Sequence, residues 1–228
     1  MSLQREWSRV RAIVWKDLTA ERRTKANFNA VLFFAVLTLM LFGFAFGPDA
    51  DTIQAAGAGM IWLTILFAGV LSFNRSYEQE LEGGSFDALL LYPGERRSIF
   101  IGKLLANLGF VLLVEVIMVP AAGLLYNLPL GRAPGRIALV LALGSVGFVT
   151  LGTFYAAMAS RVRAREVLLP LLLFPMLIPL LLGAVESTAA LLGGDLMGNA
   201  GTWIRLLVVF DVIFIAVCLL AFDHVIEE

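Results

Sequence analysis

The sequence predicts an all-α polytopic membrane protein, with six transmembrane helices behind an N-terminal interfacial amphipathic helix. Three observations carry this. Hydrophobic residues make up 60% of the 228 and charged residues only 15%, with a mean hydropathy of +0.88, outside the range of soluble domains. The apolar residues gather into runs of about 20, the length that crosses a hydrocarbon core of about 30 Å. Within each run the apolarity is continuous rather than alternating, which argues helices over barrel strands. The runs are 27–47, 55–74, 100–126, 136–159, 167–185 and 203–222.

Residues 1–26 precede the first span. Leu3, Trp7, Val10, Val14 and Leu18 share one face of a helical wheel, with Arg5, Arg9, Lys16 and Arg22 on the other. The charged stretch is too long for a signal peptide. Two readings fit it: an interfacial helix with its apolar face in the acyl boundary and Trp7 and Trp15 at the headgroup level, or a helix docked on another subunit.

Cations set the orientation. Arg5, Arg9, Arg11, Lys16, Arg22, Arg23 and Lys25 precede span one. Arg75, Arg96, Arg97 and Lys103 follow span two, and Arg161, Arg163 and Arg165 follow span four. The alternate loops are nearly bare of cations. The positive-inside rule therefore puts the N-terminus and both basic loops in the cytoplasm, and the even span count returns the C-terminus there.

The polar interruption 72–103 is where the chain can meet something soluble. It holds Glu78, Glu80 and Glu82, a Gly83-Gly84 break, and a short helix candidate at 86–91 capped by Ser85 and stopped by Pro93. That turn and a half is marginal in water, so its leucines are expected either to bury against the membrane domain or a partner, or to touch lipid headgroups. In the segment 186–202, Ala189 to Leu192 and then Leu196-Met197 suggest two short helical pieces forming a re-entrant hairpin, with an ordinary surface loop as the rival.

Within the spans, Glu115 and Asp211 each sit among aliphatic residues. An ionised carboxylate is costly there, so each is expected to face the bundle interior as a polar tie between helices or as part of a proton relay. Pro170, Pro175 and Pro179 each remove a backbone donor from the fifth span and predict a kink. Gly43 and Gly47 form a weak small-residue motif. Cys218, the single cysteine, reads as a small buried hydrophobe.

Absent motifs narrow the chemistry. The chain has no G-x-x-x-x-G-K-[ST] phosphate loop, no Cys pair and no H-E-x-x-H, and its only histidine is His224. A nucleotide hydrolase of the phosphate-loop kind is excluded, and a metalloenzyme or serine hydrolase is disfavoured. No metal or cofactor is expected on this chain, and any ATP comes from a partner.

The run Phe73-Asn74-Arg75-Ser76, continuing through Glu78 and Glu80 to Gly84, Asp87, Leu89-Leu90-Leu91 and Pro93, together with the stretch from Arg163 to Pro179, resembles the heme exporter protein B family. These are the membrane subunits of the cytochrome c maturation ABC transporter. The likeness spans the chain, including the Trp15-Lys16-Asp17-Leu18 entry. It implies one transmembrane domain over 1–228, the ABC-2 type permease fold and the bacterial inner membrane. It also implies a cytoplasmic ATPase, a heme-handling membrane subunit with a small single-span companion, a periplasmic heme chaperone and a possible second copy of the chain. ATP and heme would sit in those partners. By the same resemblance, 72–103 becomes the coupling loop. Glu78, Glu80 and Asp87 would meet cations on the ATPase, while Phe86, Leu89 and Leu90 fill its groove. Arg163 and Arg165 would make a second contact or grip headgroups. The rival classes are a membrane scaffold without a transport pathway and an ABC-2 exporter of lipid or glycan.

Overall fold

The computed structural model describes the backbone of residues 3–47, 49–82, 96–159 and 165–225. Within these, the side chains at 3–5, 24, 50, 74–82, 96, 165–169 and 223–225 are left aside. The described chain is helical, without a strand: α1 (Leu3–Thr24), α2 (Ala26–Phe46), α3 (Ala50–Glu82), α4 (Arg96–Leu125), a 3-10 turn (Leu130–Arg132), α5 (Pro134–Ala159), α6 (Arg165–Leu192) and α7 (Ala200–Val225). The helices α2 to α7 each hold a stretch long and apolar enough to cross a membrane. They run up and down, so two layers of loops lie on opposite sides. One is the cation-rich side, which carries α1 and the ends of α3 and α5.

The corner between α1 and α2 is built by two residues. Lys25 takes the left-handed conformation (φ 51°) that lets one helix end and the next begin. Glu21 then reaches forward, its carboxylate accepting the Phe28 N–H at 2.7 Å in the first turn of α2. On the opposite side, Asp49 does the same for α3 by accepting from Thr52 Oγ1 and the Asp51 N–H.

Helices α3 and α5 form the centre. About 72% of the apolar window of α3 and 67% of that of α5 is buried, against 22% for α2 and for α7 at the margins. The two central helices run parallel and exchange rings for glycines. Trp62 of α3 lies on Gly144 of α5, Phe73 on Gly152, and in return Phe148 of α5 lies on Gly69. The Phe73 and Phe148 rings meet with centroids 5.1 Å apart. Lipid tails are as apolar as leucine, so close backbone approach rather than burial from water drives such a contact, and glycine permits it.

Polar ties add direction. Trp62 Nε1 donates to Thr188 Oγ1 (3.0 Å), linking α3 to α6. Asn107 Nδ2 donates to Thr153 Oγ1 (3.0 Å), linking α4 to α5. Tyr126 donates to the Leu39 carbonyl at 2.6 Å. Ties of this kind average about 0.6 kcal/mol in membranes, so they orient helices more than they hold them together.

One expectation changes. The two short helical pieces anticipated in 186–202 do not form: α6 runs on to Leu192, and Gly194, Asp195 and Gly198, all at positive φ, make a tight turn into α7. The buried hydroxyls of the extension are satisfied within it, Ser187 donating to the Gly183 carbonyl and Thr188 to the Ala184 carbonyl. Helix α6 carries its three prolines without interruption. It is one helix through Pro170, Pro175 and Pro179, with the latter two on its exposed face. Gly43 and Gly47 do not act as a pair. Gly43 touches Tyr126, while Gly47 (φ +66°) ends α2 with no neighbour.

Candidate functional site

The inner face of α4 carries a lysine, an asparagine and a glutamate, all buried. Ile99, Phe100, Lys103, Ala106, Asn107, Phe110, Val111, Val114, Glu115 and Met118 are all buried, at the three- and four-residue steps of one helical stripe. Lys103, Asn107 and Glu115 interrupt this stripe, and each has a partner on another helix. Lys103 Nζ lies 2.9 Å from Asp17 Oδ2 on α1. Asn107 bonds Thr153, and Glu115 accepts a hydrogen bond from Ser145 Oγ, both on α5. The sequence reading left Lys103 in the loop; the structure places it inside α4, with only 1% of its surface exposed. The signal that could have found it is its spacing of four from Ile99 and from Asn107.

Asp211 stands differently. It is buried on α7, and neither carboxylate oxygen meets a protein donor. Its nearest surroundings are Gly147, Leu180 and Phe210; a Cβ on Gly147 would come within 2.5 Å of Oδ1. The missing side chain at 147 is what admits the carboxyl between α7 and α5. Glu115 thus ties two helices, whereas Asp211 fills a space without tying anything among the described residues. Beside Glu115, Val31, Ile65, Ala68 and Phe110 line a narrow crevice between α2, α3 and α4. No group of three His, Cys, Asp or Glu side chains among the described residues is placed to hold a metal ion.

Helix α1 lies against the first turns of α4. Val10 and Ile13 are buried, with Ile13 seated on Gly102, and Asp17 follows on the same face to reach Lys103. The flank expected to meet the acyl boundary is left open: Trp7 (60% exposed), Trp15 (72%) and Leu18 stay uncovered.

On the same side, α3 continues past its apolar stretch, so Glu78 and Glu80 belong to its last turns rather than to a loop. Phe86, Asp87, Leu89, Leu90 and Arg163 lie outside the described residues. Arg165 opens α6.

On the opposite side, Asp195 organises the turn between α6 and α7. Its Oδ1 accepts the Ala200 N–H at 3.0 Å and its Oδ2 lies 3.0 Å from Arg136 Nη2, while Arg132 Nη1 donates to the Leu192 carbonyl at 2.8 Å. The Ala200 N–H foremost, then Arg136, hold the Asp195 carboxyl below its ordinary range.

Six apolar helices around a glycine-and-ring centre, with polar side chains turned inward, define a multi-pass α-helical membrane protein. The chain belongs to the CcmB protein family, whose pattern matches residues 8–228. It is 31% identical over 179 residues to Heme exporter protein B of Rhodobacter capsulatus, covering 78% of this chain and 81% of that protein. It is 32% identical over 173 residues to Heme exporter protein B of Pseudomonas aeruginosa (75% and 77% covered), and 30% identical over 178 residues to that of Paracoccus denitrificans (78% and 81%).

Proposed function

We propose that this chain is the membrane subunit of a heme-exporting ABC transporter complex that serves cytochrome c biogenesis in the bacterial inner membrane. Membership of the CcmB family over nearly the whole chain, among relatives named Heme exporter protein B, is the observation that carries this reading. The cation-rich side is the cytoplasmic one. The sequence has no phosphate loop, so ATP is hydrolysed by a partner subunit, and heme is handled by partner membrane subunits and a periplasmic chaperone.

Coupling to the ATPase runs through the end of α3 and the segment after it. Glu78 and Glu80 on the projecting turns, and Asp87 beyond, supply a polar rim, and Phe86, Leu89 and Leu90 the apolar anchor. Arg163 and Arg165 form the second contact on that side. The ATPase stroke reaches the bundle through α3 and leads to release of the heme-loaded chaperone.

The test is co-purification of the complex with Leu89→Asp, which places a charge where the anchor binds. Loss of a central anchor typically costs about 2 kcal/mol or more, roughly a thirtyfold weaker association. The ATPase should be lost from the complex, or its hydrolysis should no longer release the chaperone, while the chain still inserts. A variant with normal complex yield and normal chaperone release would refute the coupling assignment and favour a scaffold.

A further inference from the structure

The uncovered flank of α1 does not lie against open space. Trp7, Arg11, Val14, Trp15 and Leu18 of α1, with Leu105 of α4, line a groove of about 620 Å³. Its walls are apolar along the length and cationic at Arg11, and Arg22, Arg23 and Lys25 are exposed further along. The groove exists because α1 docks through Val10 and Ile13, which turns the neighbouring strip of its surface sideways along α4 rather than towards it.

Its level follows from the length of α4. Thirty residues rise about 45 Å, some 15 Å more than a hydrocarbon core. At one end α4 stays apolar to its last turn, with Leu124 and Leu125 exposed; at the other it begins with Arg96 and Arg97. The excess therefore falls at the arginine end, and about ten residues from Arg96 onward stand in the headgroup layer. Leu105 sits at the lower edge of that layer. The groove thus reaches the boundary at which a phospholipid changes from phosphate to acyl chain, and its wall holds a cation, Arg11, and two indoles.

We infer that the groove between α1 and α4 is a binding site for one anionic phospholipid, its phosphate against Arg11 and an acyl chain laid along Val14, Leu18 and Leu105. This goes beyond the transport reading and does not depend on it. The occupant is a lipid rather than a protein segment because the wall combines a cation with an apolar floor at the depth where a lipid makes the same change. A bound lipid would also cover Trp15 and Leu18 without any partner.

The test is native mass spectrometry of the full chain, delipidated in mild detergent and titrated with phosphatidylglycerol or phosphatidylcholine. Phosphatidylglycerol should bind as a single adduct, and Arg11→Gln should weaken it about fivefold, the contribution of one cation near a membrane surface. Leu105→Gln should weaken both lipids, and Arg205→Gln, at the far end of α7, neither. Equal binding of the two lipids, or an unchanged affinity in Arg11→Gln, would overturn the inference. In native membranes a photo-activatable residue at Trp15 should yield a lipid adduct; a protein adduct there would assign the groove to a subunit instead.

Discussion

Lys103 and Asp17 meet at 2.9 Å across the α1–α4 contact, with the ammonium buried and the carboxylate mostly so. A lysine with 1% of its surface exposed, near the start of a membrane helix, is expensive unless an anion accompanies it. The pair therefore favours the observed register of α1: a slide that brought Ile13 to the place of Asp17 would leave Lys103 against apolar surface.

Removing one partner should hurt more than removing both. Lys103→Met and Asp17→Asn are each expected to cost on the order of 1–3 kcal/mol, and the double variant distinctly less than their sum. Unfolding midpoints in detergent, with hydrogen exchange along α1, measure the cycle. Strict additivity would mean that the ion pair contributes nothing.

The glycines of the central helices separate into two kinds. A Cβ at Gly152 would collide with the Phe73 ring, whereas one at Gly59 meets nothing within 4 Å. Gly152→Ala should destabilise by about 1–3 kcal/mol through overpacking. Gly59→Ala should be neutral or stabilise by up to about 1 kcal/mol, since alanine is the better helix former. Thermal midpoints of the two variants in the same detergent decide it.

The two buried carboxyls should respond in opposite ways to an apolar substitute. Glu115→Leu strands the Ser145 hydroxyl and should destabilise by about 1–3 kcal/mol. Asp211→Leu replaces a group that has no donor by one of similar shape, and should be neutral or stabilising. If Asp211→Leu melts at or above the parent temperature yet abolishes transport in cells, the carboxyl serves function; a large drop in melting temperature would show an interaction that its surroundings do not display.

The Asp195 turn predicts an acid limit. Its carboxyl titrates below the ordinary value of 3.8 because the Ala200 N–H and then Arg136 favour the anion, so its contribution is present at every pH above that value and fades only as pH falls through the lowered one. Asp195 is shielded by its own turn rather than by bulk protein, so the effect is local. Asp195→Ala should speed amide exchange over Ala200 to Trp203 at neutral pH by removing an acceptor from the start of α7. Asp195→Asn should keep the Ala200 bond and change exchange little. Equal rates in parent and Asp195→Ala would show that the cap is idle.

Orientation can be read with cysteines, because the native Cys218 is buried and a poor target. Arg22→Cys and Met197→Cys occupy exposed positions on opposite sides. An impermeant maleimide added to spheroplasts should modify the Met197 variant and reach the Arg22 variant only after lysis. Modification of the Arg22 variant before lysis, with the Met197 variant protected, would reverse the topology argument.

The six spans were legible because continuous apolarity over about 20 residues has no other stable use. Lys103 was not, because a cation near a polar stretch reads as loop; only its place in the 99–118 stripe gives it away. Which strip of α1 meets the bundle was not legible, because that choice is made by Gly102 and Lys103, some 90 residues away. The ring-for-glycine exchanges between α3 and α5 are likewise pairings of distant segments, invisible to periodicity. In 186–202, glycine and apolar residues suggested short pieces, but α6 runs on to Leu192 with its buried hydroxyls bonded to its own carbonyls, which composition does not reveal.

The span most deeply enclosed by its neighbours is also the one that projects. Helix α3 has 33 residues, about 50 Å of rod, of which the apolar portion ends at Phe73. The remaining turns to Glu82 form a handle fixed to the shaft at the middle of the bundle rather than to a plank at its edge. A sideways push on that handle would be felt first at α5, where Phe73 sits on Gly152. A tilt of the innermost pair would carry the marginal helices with it, since α2 packs along α3 and α7 along α5.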